Sequence, residues 1–255
     1  MSAGAAVRPL DGRRTRRYLA PAGVTIAVLA CVPNLLGAAS GSEVAQTSWY
    51  ALMALVAPPL IVLGATRSLL IARDAAVSPL VGRGARARAE RRGLLAAVAA
   101  LVVDLVVIVW WRTPALVSAM VAHPTLVLAE SATLVVAGVG LWLELVDLPT
   151  RVEGSGRPQR AVLAALAMWT VWTLAYVEGM SATGWYHAFR HVPGAGLSAA
   201  ADREASAALL WAVATVVFTP VVFWNLSRWL RAESTTEHSD PHGDTSRSLG
   251  RTVST

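Results

Sequence analysis

The chain has 255 residues, of which 55% are apolar and only 15% are charged. A soluble domain of this size carries about 25% charged residues, so the composition argues against an ordinary soluble domain. All 22 basic residues are arginine and they outnumber the 16 acidic residues, which gives a net charge of +6. The single cysteine, Cys31, excludes an intramolecular disulfide framework and a cysteine-based zinc site.

Six apolar runs predict six transmembrane helices, because about 20 mostly apolar residues are needed to cross a bilayer. The clearest run is 93–111, in which Asp104 is the one charged residue. The other five runs are 18–37, 47–71, 124–146, 161–178 and 205–226. None alternates polar and apolar residues as a barrel strand does. The sequence therefore predicts an all-α, polytopic bundle of about six transmembrane helices.

The arginines predict the orientation of this bundle. Nineteen of them fall in the N-terminal segment, the second and fourth connections and the C-terminal side. The other side has only Arg112, Arg190 and Arg203. By the positive-inside rule, both termini are expected in the cytoplasm. The arginines form no single patch with interleaved aromatics, so the expected partner is the lipid bilayer and not a nucleic acid.

The predicted domains are a basic cytoplasmic N-terminus over 1–17, a six-helix membrane domain over 18–231 and a cytoplasmic tail over 232–255. The tail is rich in Ser, Thr, Asp, Glu and His, and we expect it to be disordered. The first helix also resembles a secretory signal, because arginines precede its apolar run. An uncleaved helix is favoured, since the run is long for a signal and Pro33 lies where the cleavage region would begin.

Side chains that bind metals gather near the predicted outer ends of the helices: Met120, His123, Glu130, Glu178, His187 and His191. His187 and His191 would share one face of a short helix, the spacing that two imidazole ligands need. His123 and Glu130 would also share a face if their helix began early. Thioether and imidazole donors together favour copper. In the alternative interpretation, these are ordinary interfacial and packing residues that bind no metal.

A charged residue inside a bilayer costs free energy, so Asp104 requires an explanation. It could serve as a proton relay or ion contact, or as a protonated acid that hydrogen bonds to a neighbouring helix. Together with helix kinks at Pro58-Pro59 and Pro220, it raises the alternative of a small transporter or channel. No phosphate-binding glycine loop and no Ser/His/Asp arrangement is present, so we do not expect an enzyme.

Three segments together resemble the CtaG-type cytochrome c oxidase assembly proteins of the caa3 class. The run 51–64 contains the Ala-Pro-Pro-Leu motif and ends in glycine. The run 129–142 begins with Ala-Glu and continues through a glycine to a tryptophan, and an acidic stretch over 201–204 precedes a further tryptophan. The positions that carry the resemblance are Pro58, Pro59, Gly64, Gly138, Trp142, Asp202 and Trp211.

The resemblance implies a multi-pass protein of the bacterial inner (cytoplasmic) membrane. Its implied role is to assist the assembly of a haem–copper oxidase, by delivering copper to the catalytic subunit or by stabilising a subunit. It also implies histidines at five positions where this chain has other residues: Gln46, Tyr50, Arg112, Val127 and Ser131. We therefore expect a divergent member, in which the copper site is lost or is supplied by His123, His187 and His191. A structural membrane subunit without any ligand is a further alternative.

Overall fold

The computed structural model describes residues 12–35, 42–64, 83–146, 156–181, 186 and 198–237. Within these residues the chain forms seven helices and no strand. They are α1 (Gly12–Leu35), α2 (Glu43–Gly64), α3 (Arg83–Trp111), α4 (Pro114–Ala122), α5 (Leu126–Leu145), α6 (Arg157–Met180) and α7 (Ala199–Glu237). The predicted all-α membrane bundle is confirmed.

Five of these helices, α2, α3, α5, α6 and α7, are long and apolar enough to cross a membrane. They correspond to five of the six predicted spans. The first predicted span falls on α1, whose described apolar part, Tyr18–Leu29, is shorter than a bilayer crossing. The short helix α4 was not predicted as a separate element, although Pro114 at its first turn is typical of a helix start. Helix α7 continues to Glu237, past the predicted end of the membrane domain.

Helix α3 shows how the bundle separates lipid from protein. Its buried residues recur every three or four positions and form one seam: Ala97, Leu101, Asp104, Ile108 and Trp111. Large apolar side chains such as Val102 and Val106 lie on the opposite face and are exposed. In a protein of this composition, an exposed apolar helix face is a lipid-facing surface, so Asp104 points away from lipid and into the bundle.

Helix α2 contains the expected irregularity near its two prolines. Pro58 has no N–H group to donate to the carbonyl of Ala54, and a π-helical segment, Leu52–Val56, precedes it. The N–H of Ala57 donates to the carbonyl of Leu52, five residues back, which keeps the helix continuous. Pro58 packs directly on Gly138 of α5, where an added Cβ would lie 2.6 Å from the proline Cγ.

The remaining spans pack through small residues and stacked aromatic rings. On α6 the seam toward the bundle contains Ala164, Ala167 and Ala175, which let neighbouring helices approach closely. Trp172 of α6 stacks on Trp211 of α7, with the ring centroids 5.2 Å apart. Between α5 and α7, Trp142 stacks on Phe218 with the centroids 5.8 Å apart. These contacts fix the positions of α5, α6 and α7 relative to one another.

Candidate functional site: a buried ion pair at one end of the bundle

Polar side chains are buried at the end of the bundle where α2 and α7 begin and where α3 and α6 end. We call this the Arg112 end, and by the arginine distribution it is the predicted outer end. Its centre is the Arg112 cluster, which consists of Thr47, Tyr50, Arg112, Glu178 and Tyr186. All five side chains are buried. Because buried charges require partners, the cluster is the main candidate for a functional role.

Arg112 and Glu178 form a two-point ion pair. The Arg112 Nε donates to Glu178 Oε1 at 2.7 Å, and Nη2 donates to Oε2 at 2.5 Å. The side chains are 1% and 0% exposed, respectively. The planar guanidinium matches both carboxylate oxygens, the geometry in which an arginine pairs most strongly. Arg112 follows the last residue of α3 and Glu178 lies in the last turn of α6, so the pair joins the ends of two spans.

Two tyrosine rings flank the guanidinium. The Arg112 Cζ lies 5.1 Å from the ring centroid of Tyr50 and 5.0 Å from that of Tyr186. Both distances are within the range of a cation–π interaction. The Tyr186 hydroxyl donates to Glu178 Oε1 at 2.6 Å and also lies 3.0 Å from the carbonyl of Arg112. The Tyr50 hydroxyl donates to the carbonyl of Ile108 at 2.9 Å. The charge is therefore covered by rings on two sides.

Hydroxyl groups extend the network to α7. The Arg112 Nη2 donates to Thr47 Oγ1 of α2 at 3.0 Å. Thr47 Oγ1 in turn shares a hydrogen bond of 2.5 Å with Ser206 Oγ of α7. One guanidinium thus links α2, α3, α6 and α7 through buried hydrogen bonds. Such a network fixes one arrangement of the helix ends, because breaking any member leaves a buried polar group unpaired.

Asp202 fixes the start of α2 from the neighbouring helix. Its Oδ2 accepts a hydrogen bond from the backbone N–H of Glu43 at 2.6 Å. Its Oδ1 accepts from the Ser42 hydroxyl at 2.8 Å and from the N–H of Val44 at 3.2 Å. The first N–H groups of a helix have no partner within the helix, and a carboxylate there also opposes the positive end of the helix dipole. Asp202 therefore serves as a cap supplied by α7.

The surroundings keep Arg112 charged and Tyr186 neutral. Burial disfavours the charge of Arg112, but the Glu178 carboxylate outweighs this effect and raises the pKa of the guanidinium above its usual range. Burial also raises the pKa of the Tyr186 hydroxyl well above its ordinary value; the charge of Arg112 opposes this shift and Glu178 reinforces it. Arg112 therefore stays positively charged at neutral pH and is balanced by the Glu178 carboxylate with which it pairs.

Further acceptor groups lie around the cluster. Glu43 and Glu130 are buried and interact electrostatically with Arg112. Glu43 Oε1 and Gln46 Oε1 are buried and have no hydrogen-bond partner among the described residues. The carboxyl and amide oxygens of these side chains, which belong to α2 and α5, surround the Arg112 guanidinium. The Arg112 end is thus strongly polar over several helices.

The predicted metal residues are not brought together in the part of the chain that the structure describes. Met120 is buried in α4, whereas His123 is exposed between α4 and α5. Because α5 begins only at Leu126, His123 and Glu130 do not share a helix. Glu178 is paired with Arg112. The two other candidates, His187 and His191, lie outside the described residues.

In the same part of the chain, no group of three His, Cys, Asp or Glu side chains is arranged to hold a metal ion. The five positions at which the resemblance expects histidines are all buried: Gln46, Tyr50, Arg112, Val127 and Ser131. Two of them, Tyr50 and Arg112, are in direct contact. A copper(I) site requires soft or imidazole donors, and these residues provide none. This set of five residues therefore does not fit copper.

Asp104 lies apart from the cluster. It is 3% exposed, on the bundle-facing seam of α3, two turns before Arg112. It therefore lies in the interior of the membrane domain and not on its lipid-facing surface.

The fold and this site define a helical integral membrane protein whose spans are joined at one end by a buried ion pair. Residues 4–232 match the family described as cytochrome c oxidase caa3 assembly factor (Caa3_CtaG). Because the match covers most of the chain, the protein belongs to this family of oxidase assembly factors. No curated protein and no solved structure matches the chain.

The positions that carried the family resemblance make helix-packing contacts. Pro58 touches Gly138, and Trp211 stacks on Trp172. An added Cβ at Gly64 would overlap the backbone of Ala20, so α1 and α2 require a glycine there. Pro59 is buried beside Pro58. Trp142 of α5 stacks on Phe218 of α7, and Asp202 of α7 caps the start of α2. These contacts explain why the motifs predicted the fold better than they predicted a ligand.

Proposed function

We propose that this protein assists the assembly of a haem–copper cytochrome c oxidase in the bacterial cytoplasmic membrane by stabilising a membrane-embedded subunit. In this proposal it does not deliver copper through the Arg112 cluster. The observation that carries the proposal is the buried Arg112–Glu178 pair. It places a fixed cation among the positions where the family resemblance expects copper-binding histidines.

The contacts of the pair suit a structural role. Arg112 is bonded to α2 through Thr47 and to α6 through Glu178, and Thr47 connects onward to α7. These bonds hold the ends of the spans together while their outer faces stay available to lipid and to other helices. Exposed apolar side chains such as Val102, Val106 and Trp110 give α3 a broad face of this kind. We propose that an oxidase subunit packs on such a face during assembly.

A complementation experiment tests the role of the pair. A strain that lacks the gene receives the wild-type chain, Glu178→Gln or the control Arg92→Gln, which changes an exposed arginine on α3. We expect Glu178→Gln to lower the abundance of the oxidase catalytic subunit and the oxidase activity together, because the unpaired Arg112 charge loosens the bundle. The control should restore both. Full restoration by Glu178→Gln, with normal abundance of the variant protein, would contradict the proposal.

Copper delivery by His187 and His191 is the competing hypothesis. It is tested by measuring the copper content of the purified chain, with the histidine-containing tail removed so that only the membrane domain is measured. Our proposal predicts less than one copper per chain, with no change in a His187→Ala/His191→Ala double variant. One copper per chain that disappears in the double variant would instead support delivery by these histidines.

The burial of Asp104 favours a second candidate function, proton- or ion-coupled transport. A carboxyl group in the interior of a transmembrane bundle is the kind of residue that relays protons. The test is proton flux into liposomes that contain the wild-type protein or Asp104→Asn. A flux that depends on Asp104 would support transport. Equal, background-level flux for both proteins would remove this candidate.

A further inference from the structure

A groove of about 670 Å³ runs along the seam between α6 and α7, in the half of the bundle nearest the Arg112 end. Its described lining residues include four aromatic side chains, Trp169, Trp172, Tyr176 and Trp211, together with Met180 and Glu204. Trp169 and Tyr176 are 65% and 66% exposed, so the groove opens away from the protein. Neither the Arg112 cluster nor Asp104 lines it.

The length of the groove matches one leaflet of a bilayer. From Trp169 to Met180 along α6 the rise is about 17 Å. The hydrocarbon core of a bilayer is about 30 Å thick, so the groove extends from one membrane surface to about the midplane. A molecule confined to one leaflet could fill the groove along its whole length. The dimensions therefore favour a molecule that occupies a single leaflet.

The chemistry of the groove differs between its two ends. At the deep end, Trp172 stacks on Trp211 and its Nε1 donates to Thr215 at 3.1 Å, which holds a flat apolar wall in place. At the surface end lies Glu204, the one charged side chain among the described lining residues. A carboxylate attracts an ammonium group through its charge, and an exposed tyrosine ring such as that of Tyr176 can add a cation–π interaction. An apolar wall below a cation-binding end suits an amphiphile.

We propose that this groove binds one phospholipid with an ammonium headgroup, phosphatidylethanolamine, in the leaflet at the Arg112 end. The headgroup lies at Glu204 and Tyr176, and an acyl chain lies along Trp169 and Trp211. The length of the groove, its aromatic wall and the single carboxylate carry this assignment. It does not depend on the role in oxidase assembly, because no oxidase subunit is involved.

Native mass spectrometry of the full chain in detergent tests the proposal, with phosphatidylethanolamine and phosphatidylglycerol of identical acyl chains as probes. We expect the wild-type protein to retain phosphatidylethanolamine roughly threefold to tenfold better. Glu204→Gln should abolish this preference, and Trp211→Leu should lower the retention of both lipids. The control Trp110→Leu removes an exposed tryptophan from α3 and should change neither. Equal retention of the two lipids by the wild type, or an unchanged preference in Glu204→Gln, would overturn the proposal.

Crosslinking in native membranes distinguishes a lipid from a protein occupant. A photoreactive p-benzoylphenylalanine replaces Tyr176 in the groove or Val136, an exposed residue of α5 outside it. We expect the probe at Tyr176 to form adducts enriched in phosphatidylethanolamine relative to the probe at Val136. Adducts of another polypeptide alone at Tyr176 would overturn the proposal in favour of a helix partner.

Discussion

Replacing Glu178 with methionine should destabilise the protein strongly. The variant leaves Arg112, which is 2% exposed, without its carboxylate partner. Breaking a buried ion pair by removing one member costs about 3 to 5 kcal/mol. The Tyr186 hydroxyl also loses its bond to Glu178, which adds about 1 kcal/mol. We therefore expect a loss of about 4 to 6 kcal/mol in the free energy of unfolding.

A double-mutant cycle with Arg112→Met makes this prediction specific. Removing both charges leaves no unpaired charge and costs the hydrogen bonds of Thr47 and Tyr186, about 2 kcal/mol in total. It also removes the cation–π contacts of Arg112 with Tyr50 and Tyr186, about 0.5 to 1 kcal/mol each. The double variant should therefore be more stable than either single variant. The assay is equilibrium unfolding in mixed micelles with a rising fraction of SDS, followed by circular dichroism. A loss below about 1 kcal/mol in Glu178→Met, or a double variant that loses the sum of the single effects, would refute the reasoning.

Three further predictions concern Tyr186, Gly138 and Asp202. Because the folded-state pKa of Tyr186 is raised, its contribution to stability is fully present below the ordinary tyrosine pKa of 10.0 and is lost as the pH rises above it. Thermal unfolding is measured between pH 8 and 11.5 for the wild type and for Tyr186→Phe. The variant should lose less stability at alkaline pH, and equal losses of stability in both proteins would count against the burial argument. Gly138→Ala should cost about 1 to 3 kcal/mol in micelle unfolding, because its Cβ meets Pro58, whereas Gly140→Ala has open space and should be neutral or stabilising. Asp202→Ala should lower the free energy of unfolding by about 1 to 2 kcal/mol, because α2 loses its cap. An unchanged midpoint of micelle unfolding would show that water replaces the carboxylate.

Much of the fold was predictable because a bilayer imposes length and polarity on each span. Apolar runs located α2, α3, α5, α6 and α7, since a helix that crosses lipid must be apolar over about 20 residues. The prolines of α2 likewise predicted an irregular helix. Helix α4 was not predicted because its nine residues are too few to cross a bilayer, and Pro114 gave the sign of a separate helix start.

The Arg112 cluster was not predictable in the same way. Arg112 and Glu178 are 66 positions apart, and only the packing of α3 beside α6 brings them together. In the sequence, Glu178 was a metal candidate and Arg112 was a position expected to hold histidine. One signal did exist: two opposite charges border neighbouring spans at the same predicted membrane surface. Opposite charges placed in this way favour a contact between the two spans.

The roles of Tyr186 and Asp202 depended on details that sequence spacing does not carry. Asp202 carries part of the family resemblance, but its target is the start of α2, about 160 residues away. The backbone N–H groups that it binds carry no sequence signal. Tyr186 is buried beside an arginine, whereas a tyrosine at a span end is typically interfacial.

The abundance of the oxidase catalytic subunit in a strain that lacks this gene, grown with and without added copper, tests the central claim most directly. If the protein stabilises a membrane-embedded subunit, that abundance falls and copper does not restore it. If the subunit accumulates normally and added copper alone restores oxidase activity, the protein acts in copper delivery and our account is contradicted.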